Sequence, residues 1–313
     1  MKYQYLFGPV PSRRLGASLG IDLVPFKTCT FNCVYCECGK TIHPTTERKE
    51  YVPTGRVIEE LNEYLSSNPK IDYITFSGSG EPTLHKDIGK IIGFLSAQYP
   101  DYKISVLTNG SLLYIPEVQE DLRRVDVVLP SLDAVSPDIF RTINRPIPSI
   151  SIEKIITGLI DFRKKFSGSI WVEVFLVPGL NDSDEEIEGI GKALRRIHPD
   201  KIQINTLDRP GTESWVKPAD ITTINRIIEK WKGLPVESIH KAKRVIASSP
   251  FNYEIKEQIL ATLRRRPCTV EDLASALGLS RVEVGKYIDE LLAENILKSH
   301  HLDRGVFFTV SNE

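Results

Sequence analysis

The octapeptide Cys29-Thr30-Phe31-Asn32-Cys33-Val34-Tyr35-Cys36 places three thiols within eight residues, just after a stretch with the pattern of a strand. Thiolates are soft ligands, and three of them so close together can hold a metal centre. Three are one short of the set that closes a four-iron cluster. Because an open coordination position is typical of a catalytic metal site, the octapeptide predicts a metal centre that a small molecule can reach.

A zinc site is the alternative interpretation of the same thiols. Either Cys38 or His43 could supply a fourth ligand beside Cys29, Cys33 and Cys36. Zinc sites usually combine two short cysteine pairs that lie far apart in the chain, and this sequence contains no second pair. The choice between the two kinds of site therefore depends on the rest of the sequence.

The composition is that of a globular protein, with 313 residues, 41% hydrophobic and 26% charged, and a net charge of −1. This length allows one large and one small domain, and the charge balance does not indicate a nucleic-acid or membrane surface. No apolar run of membrane-spanning length and no secretion signal is present, so we expect a cytoplasmic protein. Clustered cysteines in a reducing compartment favour metal binding over disulfides, and the isolated Cys268 fits a small buried residue.

Strands and helices alternate along most of the chain. Apolar periodicity predicts strands over residues 18–24, 71–76, 102–107, 125–129, 170–177 and 201–204. Predicted helices cover residues 54–65, 86–97, 116–124, 152–165, 184–197 and 219–232, with Thr54 and Ser183 expected as caps. This alternation is typical of a parallel sheet with crossover helices, and it predicts an α/β fold with a partial (β/α)6 TIM-type barrel. An open doubly wound sheet is the structural alternative.

A polar loop follows each of the six predicted strands. Besides the cysteines, these loops are residues 77–82, 108–110, 131–134, 178–182 and 205–211. Ligands bind at the carboxyl ends of strands in parallel barrels and in open sheets alike. The six loops are therefore expected to form one site.

The cysteine spacing, with an aromatic residue before the last thiol, resembles the signature of the radical S-adenosylmethionine (SAM) enzymes. The resemblance covers roughly residues 15–235. It implies that Cys29, Cys33 and Cys36 bind three irons of a [4Fe-4S] cluster and that SAM chelates the fourth. It also implies reductive cleavage of SAM to a 5′-deoxyadenosyl radical that abstracts hydrogen, with an electron from a donor such as flavodoxin or ferredoxin. The substrate and the reaction class stay open.

The segment Ser77-Gly78-Ser79-Gly80-Glu81-Pro82 resembles the glycine-rich loop that holds the amino group of SAM in those enzymes. The resemblance places Gly78, Ser79, Gly80 and Glu81 at the cofactor. Glycines let main-chain groups approach a ligand closely. A tight strand-to-helix turn is the alternative interpretation.

Other loops offer further contacts to SAM. Asn109 is available for a ligand, because no antiparallel strand follows Asn109-Gly110. Ser131 and Asp133 are expected at the ribose, although Asp133 could instead cap the helix near Ser136. The resemblance also implies adenine contacts, for which ordinary packing is the alternative, at Tyr35, Val177 and Pro178.

Several charged residues are candidates for binding the substrate. Arg141 or Arg145 could pair with the SAM carboxylate or with a substrate anion. One member of the pair Arg13-Arg14 could reach a carboxylate or phosphate near the cluster, and a solvated pair is the alternative. The candidate substrate-binding residues are Arg13, Arg141, Arg145, Asp208 and Arg209.

A change of composition near residues 248–250 predicts two domains, residues 1–247 and residues 250–313. Predicted helices over 253–264, 269–277 and 281–294, followed by a hairpin over 296–310, resemble a winged helix-turn-helix. A metal- or iron–sulfur-dependent transcription regulator is therefore the rival function. Residues 251–313 carry eight Lys and Arg against ten Asp and Glu, which favours protein contact or presentation of a macromolecular substrate over duplex binding.

The opening residues 8–16 and the run 20–25 before the cysteines resemble a little-characterised branch of the superfamily. That branch is similar to the radical SAM enzymes of wyosine formation in tRNA. This chain lacks their second, upstream cysteine cluster and any obvious flavin domain. A tRNA-modifying radical SAM enzyme is therefore a further alternative.

Overall fold

The structure is a computed structural model that describes residues 3–238, 255–279 and 281–311. In chain order its strands are β1 (Leu6–Ser12), β2 (Gly16–Ile21), β3 (Thr28–Cys29), β4 (His43–Pro44), β5 (Tyr73–Phe76), β6 (Lys103–Thr108), β7 (Val127–Pro130), β8 (Ser169–Leu176), β9 (Lys201–Thr206), β10 (Val236–Ser238), β11 (Leu297–Leu302) and β12 (Gly305–Val310).

One large sheet has the strand order β1-β2-β5-β6-β7-β8-β9-β10. All neighbours from β2 to β10 run parallel, and only β1 pairs antiparallel, with β2. The predicted mixed α/β fold with a parallel sheet is confirmed, and its order is consistent with a partial barrel. Residues 6–12, where the sequence predicted no strand, form a strand with a bulge between Phe7 and Val10.

Helices connect the parallel strands as crossovers. They are α1 (Thr54–Leu65), α2 (Ile88–Gln98), α3 (Pro116–Asp121), α4 (Pro137–Ile143), α5 (Ile152–Lys165), α6 (Asp184–Ile197) and α7 (Ile221–Lys230). The predicted cap of α6 is confirmed, since the Ser183 side chain accepts from the Glu186 amide. The predicted cap of α1 was wrong: Pro53 holds the cap position, and the Thr54 amide donates to Glu50 instead.

The core lies between the sheet and these helices. All four residues of β7 are buried, because a parallel sheet in an α/β protein is covered on both faces. Among the side chains that fill the space are Ile91 of α2, Val106 of β6 and Leu159 of α5, each fully buried. Buried, rigid strands of this kind hold the loops at their ends in fixed positions.

The last described part of the chain contains α8 (Ile255–Arg265), α9 (Val270–Leu277), α10 (Arg281–Ala293) and the antiparallel pair β11–β12. It has a hydrophobic cluster of its own, which includes Leu273, Val284 and Leu291. Thr269 and Asp272 form a capping box at the start of α9. The predicted domain boundary near residue 250 lies outside the described residues, so the two-domain division stays a prediction.

No helix in the described part of the chain is both long and apolar enough to cross a membrane.

Candidate functional site

The loops at the strand ends meet around the cysteine loop, defined as residues 27–44. The glycine loop, residues 77–82, is tied to it by two main-chain hydrogen bonds. The Lys27 amide donates to the Ser79 carbonyl at 3.1 Å, and the Glu81 amide donates to the Thr28 carbonyl at 3.1 Å. Gly80 is required here, since a Cβ atom at this position would lie 2.0 Å from the Thr28 oxygen. The two loops therefore form one continuous surface.

The end of α4 and the loop after β9 support the cysteine loop from its other side. The Val34 amide donates to the Ile143 carbonyl at 2.9 Å, and the Glu213 amide donates to the Val34 carbonyl at 3.0 Å. A Cβ atom at Gly211 would lie 2.8 Å from the Tyr35 oxygen, so only glycine allows this approach. Of the polar loops predicted to meet, residues 77–82 and 205–211 thus contact the cysteine loop through the main chain.

Each of the first three thiols has its own N–H donor. Asn109 Nδ2 lies 3.5 Å from Cys29 Sγ, and Asn144 Nδ2 lies 3.5 Å from Cys33 Sγ. The Lys27 ammonium lies 3.1 Å from Cys36 Sγ. Such donors stabilise sulfur in its thiolate form, which is the form that binds metals.

Burial and hydrogen bonding act on these thiols in opposite directions. Burial, followed by the nearby Glu81, raises the pKa of Cys29 to about 12. Burial likewise raises the pKa of Cys33 well above its usual value. The pKa of Cys36 falls to about 6, first through a hydrogen bond with Cys38 and then through the Lys27 charge. In the metal-free chain Cys36 is therefore the thiol that ionises most easily.

Cys38 differs from the other three thiols. Its Sγ lies 2.9 Å from the Arg265 carbonyl oxygen and 3.7 Å from the Gly78 carbonyl oxygen, so the thiol acts as a donor. His43, the other proposed fourth ligand, is exposed. Cys38, as a donor to carbonyl groups, and His43, as an exposed residue, therefore differ from Cys29, Cys33 and Cys36, whose sulfurs accept from N–H donors.

The Asp22 carboxylate organises the start of the glycine loop. It accepts from the Ser79 amide at 3.2 Å and from the Ser79 hydroxyl at 2.9 Å. Gly78 has a φ of 143°, and a Cβ atom there would lie 2.4 Å from the Asp22 side chain. The glycine is thus required by the backbone angle and by the close carboxylate.

Glu81 is buried and hydrogen-bonded within the protein. Its Oε1 accepts from the Thr83 amide at 3.1 Å, the Thr83 hydroxyl at 2.5 Å and the Thr108 hydroxyl at 2.6 Å. Its Oε2 accepts from the Asn109 amide at 2.8 Å. Burial raises the pKa of Glu81, and these donors oppose that rise. The carboxylate therefore joins the second and third strand-end loops.

Asp133 is buried at the centre of a second network. Its Oδ2 accepts from the Tyr35 hydroxyl and from Asn144 Nδ2, and its Oδ1 accepts from the Phe175 amide. Burial raises the pKa of this carboxyl to about 6. The alternative that Asp133 caps α4 is wrong, because Glu186 accepts from the amide and hydroxyl of Ser136 at that end.

The residues expected at adenine lie together. The Tyr35 ring stacks on the Phe175 ring with a centroid separation of 3.8 Å. Val177 is buried in the same small cluster, and Pro178, the next residue, is half-buried. Ser131 is also half-buried, and it forms a β-bridge with Glu173.

The structure does not bring all five predicted substrate-binding residues to the site. Arg141 is exposed on α4, where it pairs with Asp138, and the structure does not bring it to the site. Arg145 has a left-handed backbone and pairs with Glu213 beside the cysteine loop. The remaining candidates are Arg13, Asp208 and Arg209, and the ion-pair partners of the last two include residues of the C-terminal segment.

Ion pairs connect this edge of the sheet to the C-terminal segment. Asp208 lies 3.5 Å from the Arg13 guanidinium and 3.0 Å from that of Arg304. Arg209 lies 3.5 Å from Asp272 of α9 and 3.5 Å from Glu37 of the cysteine loop. Asp208 and Arg209 are therefore engaged in contacts between the two parts of the chain.

A chamber of about 650 Å³ lies between the strand ends and helices α8 and α9. The strand-end side includes Tyr35, Cys36 and Gly78, and the helical side includes Arg265 and Leu277. The cavity thus reaches from the third cysteine to the C-terminal segment.

The donor set fits an iron–sulfur cluster. Within the described ranges no three His, Cys, Asp or Glu side chains are placed to hold a single metal ion. In a four-iron cluster each cysteine binds a different iron, so the thiols need not converge on one point. Three thiols with three N–H donors supply the ligands and the hydrogen bonds to sulfur that such clusters use.

Comparisons with known proteins agree with this site. The sequence model of the Radical SAM superfamily matches residues 23–189, a span that begins before the cysteines and ends in α6. The chain belongs to the radical SAM superfamily, and the matched span includes the loop with Cys29, Cys33 and Cys36.

Over nearly its whole length, the chain is 33% identical to the UPF0026 protein of Methanocaldococcus jannaschii, covering 96% of this chain and 94% of that one. It is also 39% identical to the GTPase Obg of Brachyspira hyodysenteriae across 93% of its own length, but it spans only 43% of that protein. A radical SAM methyltransferase from Sphaerobacter thermophilus has a similar fold, with a TM-score of 0.57 and 17% identity over 71% of this chain and 65% of that one.

Sequence reasoning missed three residues that shape this site. Lys27 stands two positions before the first cysteine, but nothing in the sequence indicates that it points back to Cys36. Asn144 belongs to a stretch noted for its arginines, and it is the asparagine that reaches Cys33. Arg265 lies 227 residues beyond Cys38, so no local pattern could connect them.

Proposed function

We propose that the chain is a radical SAM enzyme that holds a [4Fe-4S] cluster on Cys29, Cys33 and Cys36. When bound, the cluster and SAM supply reductive cleavage of SAM to a 5′-deoxyadenosyl radical, which abstracts hydrogen from the substrate. The observation that supports this most strongly is the set of three thiols that each accept from a separate N–H donor.

The residues of this chain orient and support these groups. Lys27, Asn109 and Asn144 donate towards the sulfurs, and hydrogen bonds to sulfur tune the reduction potential of such clusters. Gly80 holds the glycine loop against the cysteine loop, so both can face the same ligand. Of the residues proposed to bind SAM, Tyr35 and Gly78 line the chamber. The full proposed set is Tyr35, Gly78, Ser79, Gly80, Glu81, Asn109, Ser131, Asp133, Val177 and Pro178.

Anaerobic reconstitution tests this assignment directly. The full chain should bind about four irons and four sulfides. After reduction it should form 5′-deoxyadenosine from SAM. Cys33→Ala should abolish both results. A chain that binds one zinc ion and never cleaves SAM would show that the proposal is wrong.

The physiological electron source is proposed to be a small redox protein such as flavodoxin or ferredoxin. Reductive cleavage consumes one electron per event. Besides the three proposed cluster ligands, the described residues include only the thiols of Cys38 and Cys268, which are too few to hold a second cluster that could relay electrons. Exchange of dithionite for reduced flavodoxin should therefore sustain formation of 5′-deoxyadenosine, with omission of flavodoxin as the control.

We infer that residues 255–311 are a winged helix that serves the enzyme rather than DNA. Several basic side chains there are paired: Lys256 with Glu290 and Glu294, and Arg281 with Glu271. Paired side chains are less available for phosphate contacts. Salt-dependent binding of DNA that follows the metal state would instead favour the regulator.

The wyosine-like branch and tRNA modification stay predictions. Comparing the tRNA nucleosides of deletion and parent cells tests both. A nucleoside that disappears with the gene would favour a tRNA substrate, and an unchanged profile would favour a different substrate.

A further inference from the structure

The C-terminal segment contributes one wall of the chamber. Helices α8 and α9 place several side chains there, and the opposite wall belongs to the strand ends and to β1. Apolar groups line much of the space, and among them are Leu6, Phe7, Leu107, Phe175 and Leu277. A cavity of about 650 Å³ has the size of a small-molecule site. It can enclose a small molecule but not a folded macromolecule.

Five arginines line the chamber, and three of them are neutralised by carboxylates. The pairs are Arg13–Asp208, Arg14–Glu173, Arg209–Glu37 and Arg209–Asp272. The other two, Arg265 and Arg266, stand at the end of α8. Neither has an ion pair with any carboxylate in the described part of the chain. Protein carboxylates therefore do not occupy these two guanidinium groups by direct contact.

Arg265 is held in place with most of its donors unused. Its guanidinium carbon lies 4.5 Å from the centroid of the Phe7 ring, and one Nη donates to the Ala261 carbonyl at 3.1 Å. Its Nε is buried and has no partner among the described residues. A guanidinium carries five N–H donors in a fixed planar arrangement that matches carboxylate or phosphate.

The nearest acidic groups form no ion pair with Arg265 in the described part of the chain. Asp22 acts on Arg265 electrostatically, but its carboxylate is engaged by Ser79. Glu257 stands eight residues earlier on α8, which is about 12 Å along the helix axis. An anion of a ligand can therefore bind at Arg265 without displacing a protein carboxylate.

Arg265 is also close to the cysteine loop and the glycine loop. Its carbonyl oxygen accepts from the Cys38 thiol, whose sulfur also lies 3.7 Å from the Gly78 carbonyl oxygen. A ligand anchored by Arg265 therefore starts beside the cysteine and glycine loops. Its apolar part would extend along the aromatic and aliphatic lining.

We propose that Arg265, assisted by Arg266, binds the anionic group of the substrate. The substrate class is a small molecule with a carboxylate or phosphate group and an apolar portion. The identification of this ligand as the substrate rests on the proposed function, whereas the binding of an anion at Arg265 does not. The C-terminal segment then determines which molecule this enzyme accepts.

Titration calorimetry of the reconstituted full chain tests the site with three probes. Phenyl phosphate and phenylacetate carry the two candidate anions on one apolar ring, and benzyl alcohol is the uncharged comparison. We expect at least one anion to bind, and Arg265→Gln to weaken that binding about tenfold, the effect of losing a charge-assisted hydrogen bond. The anion that binds more tightly identifies phosphate or carboxylate.

The matched control is Arg264→Gln, the same change of charge on the preceding, exposed residue of α8. It should leave binding of the anion unchanged. Equal binding to wild type and Arg265→Gln, or binding of neither anion, would overturn the proposal. If Arg265→Gln does not fold, Arg265→Lys takes its place: it keeps the charge but loses the planar fork, so weaker binding is expected and unchanged binding contradicts the site.

Formation of 5′-deoxyadenosine in the same preparations separates this inference from the proposed function. SAM cleavage without anion binding would refute the Arg265 site alone. Anion binding that depends on Arg265, without any SAM cleavage, would refute the radical SAM activity and leave the binding site standing.

Discussion

The charged groups buried at the strand ends and those on the helical wall of the chamber are used differently. At the strand ends, Glu81 and Asp133 are buried, and donors from neighbouring loops and strands occupy their oxygens. On the helical wall, Arg265 keeps unused donors and has no ion pair among the described residues. Conspicuous acidic residues at strand ends can therefore be architectural, while a less conspicuous arginine far along the chain faces the cavity.

The largest expected effect separates the three thiols at the strand ends from their neighbour. Cys36→Ser should lose most of the iron, because it removes one of three cluster ligands. Cys38→Ser should keep about four irons per chain, since Cys38 donates to carbonyl groups. Iron and sulfide analysis after anaerobic reconstitution measures both variants. Equal loss of iron in the two variants would contradict the division of the thiols.

The next effect tests the architectural role of Glu81. Glu81→Ala removes a buried acceptor and leaves the amides of Thr83 and Asn109 without partners, so we expect a loss of about 3 kcal/mol in the free energy of unfolding. Urea unfolding provides the measurement. Glu229→Ala, on the exposed face of α7, is the control and should change the free energy by less than about 0.5 kcal/mol.

The pKa of Asp133 predicts a pH dependence of stability. Burial raises this pKa from 3.8 to about 6, so between these values the folded chain keeps a proton that the unfolded chain has released. The stability from this group is complete below the lower value and is lost as pH rises through the upper one, a loss of about 3 kcal/mol.

Unfolding free energies of wild type and Asp133→Asn between about pH 4 and about pH 7 check this sign. Wild type should lose stability relative to the variant as pH increases across this range. Parallel curves would mean that Asp133 does not titrate as expected. Using the difference between the two proteins removes the contributions of other carboxyls.

The smallest effect concerns the contact between the walls. Arg304→Gln removes the ion pairs with Asp208 and Asp272, which lie at 3.0 and 2.9 Å, and should cost about 1 kcal/mol. Lys232→Gln breaks only an exposed pair with Glu229 and should have no measurable effect. The free energies of unfolding of both variants in urea show whether these ion pairs stabilise the packing of the C-terminal segment against the strand-end loops.

Periodicity and strand-end motifs predicted the frame of this protein. The parallel sheet and the membership in the radical SAM superfamily are confirmed, because buried strands and the cysteine spacing leave local patterns in the chain. The opening strand β1 escaped prediction, since its glycine and prolines, at Gly8, Pro9 and Pro11, are typical of turns. Its antiparallel pairing with β2 overrides that local preference.

The orientation of individual side chains could not be predicted from the sequence. Asp133 and Asn144 meet only because a strand and a helix end place them 2.7 Å apart. The partners of Asp208 include Arg304, which lies 96 positions later in the chain. Contacts of this kind depend on tertiary packing, and neither spacing nor composition records them.

Because α8 and α9 pack across the strand ends, they limit the access of water to the chamber. Enclosure keeps bulk water away from reactive species and limits their side reactions. The match to the superfamily ends at residue 189, so a fragment cut there would lack an entire side of the enclosure. If the proposed radical chemistry occurs, protection of the chain from its own radical intermediates would then depend on α8 and α9, which contain none of Cys29, Cys33 and Cys36.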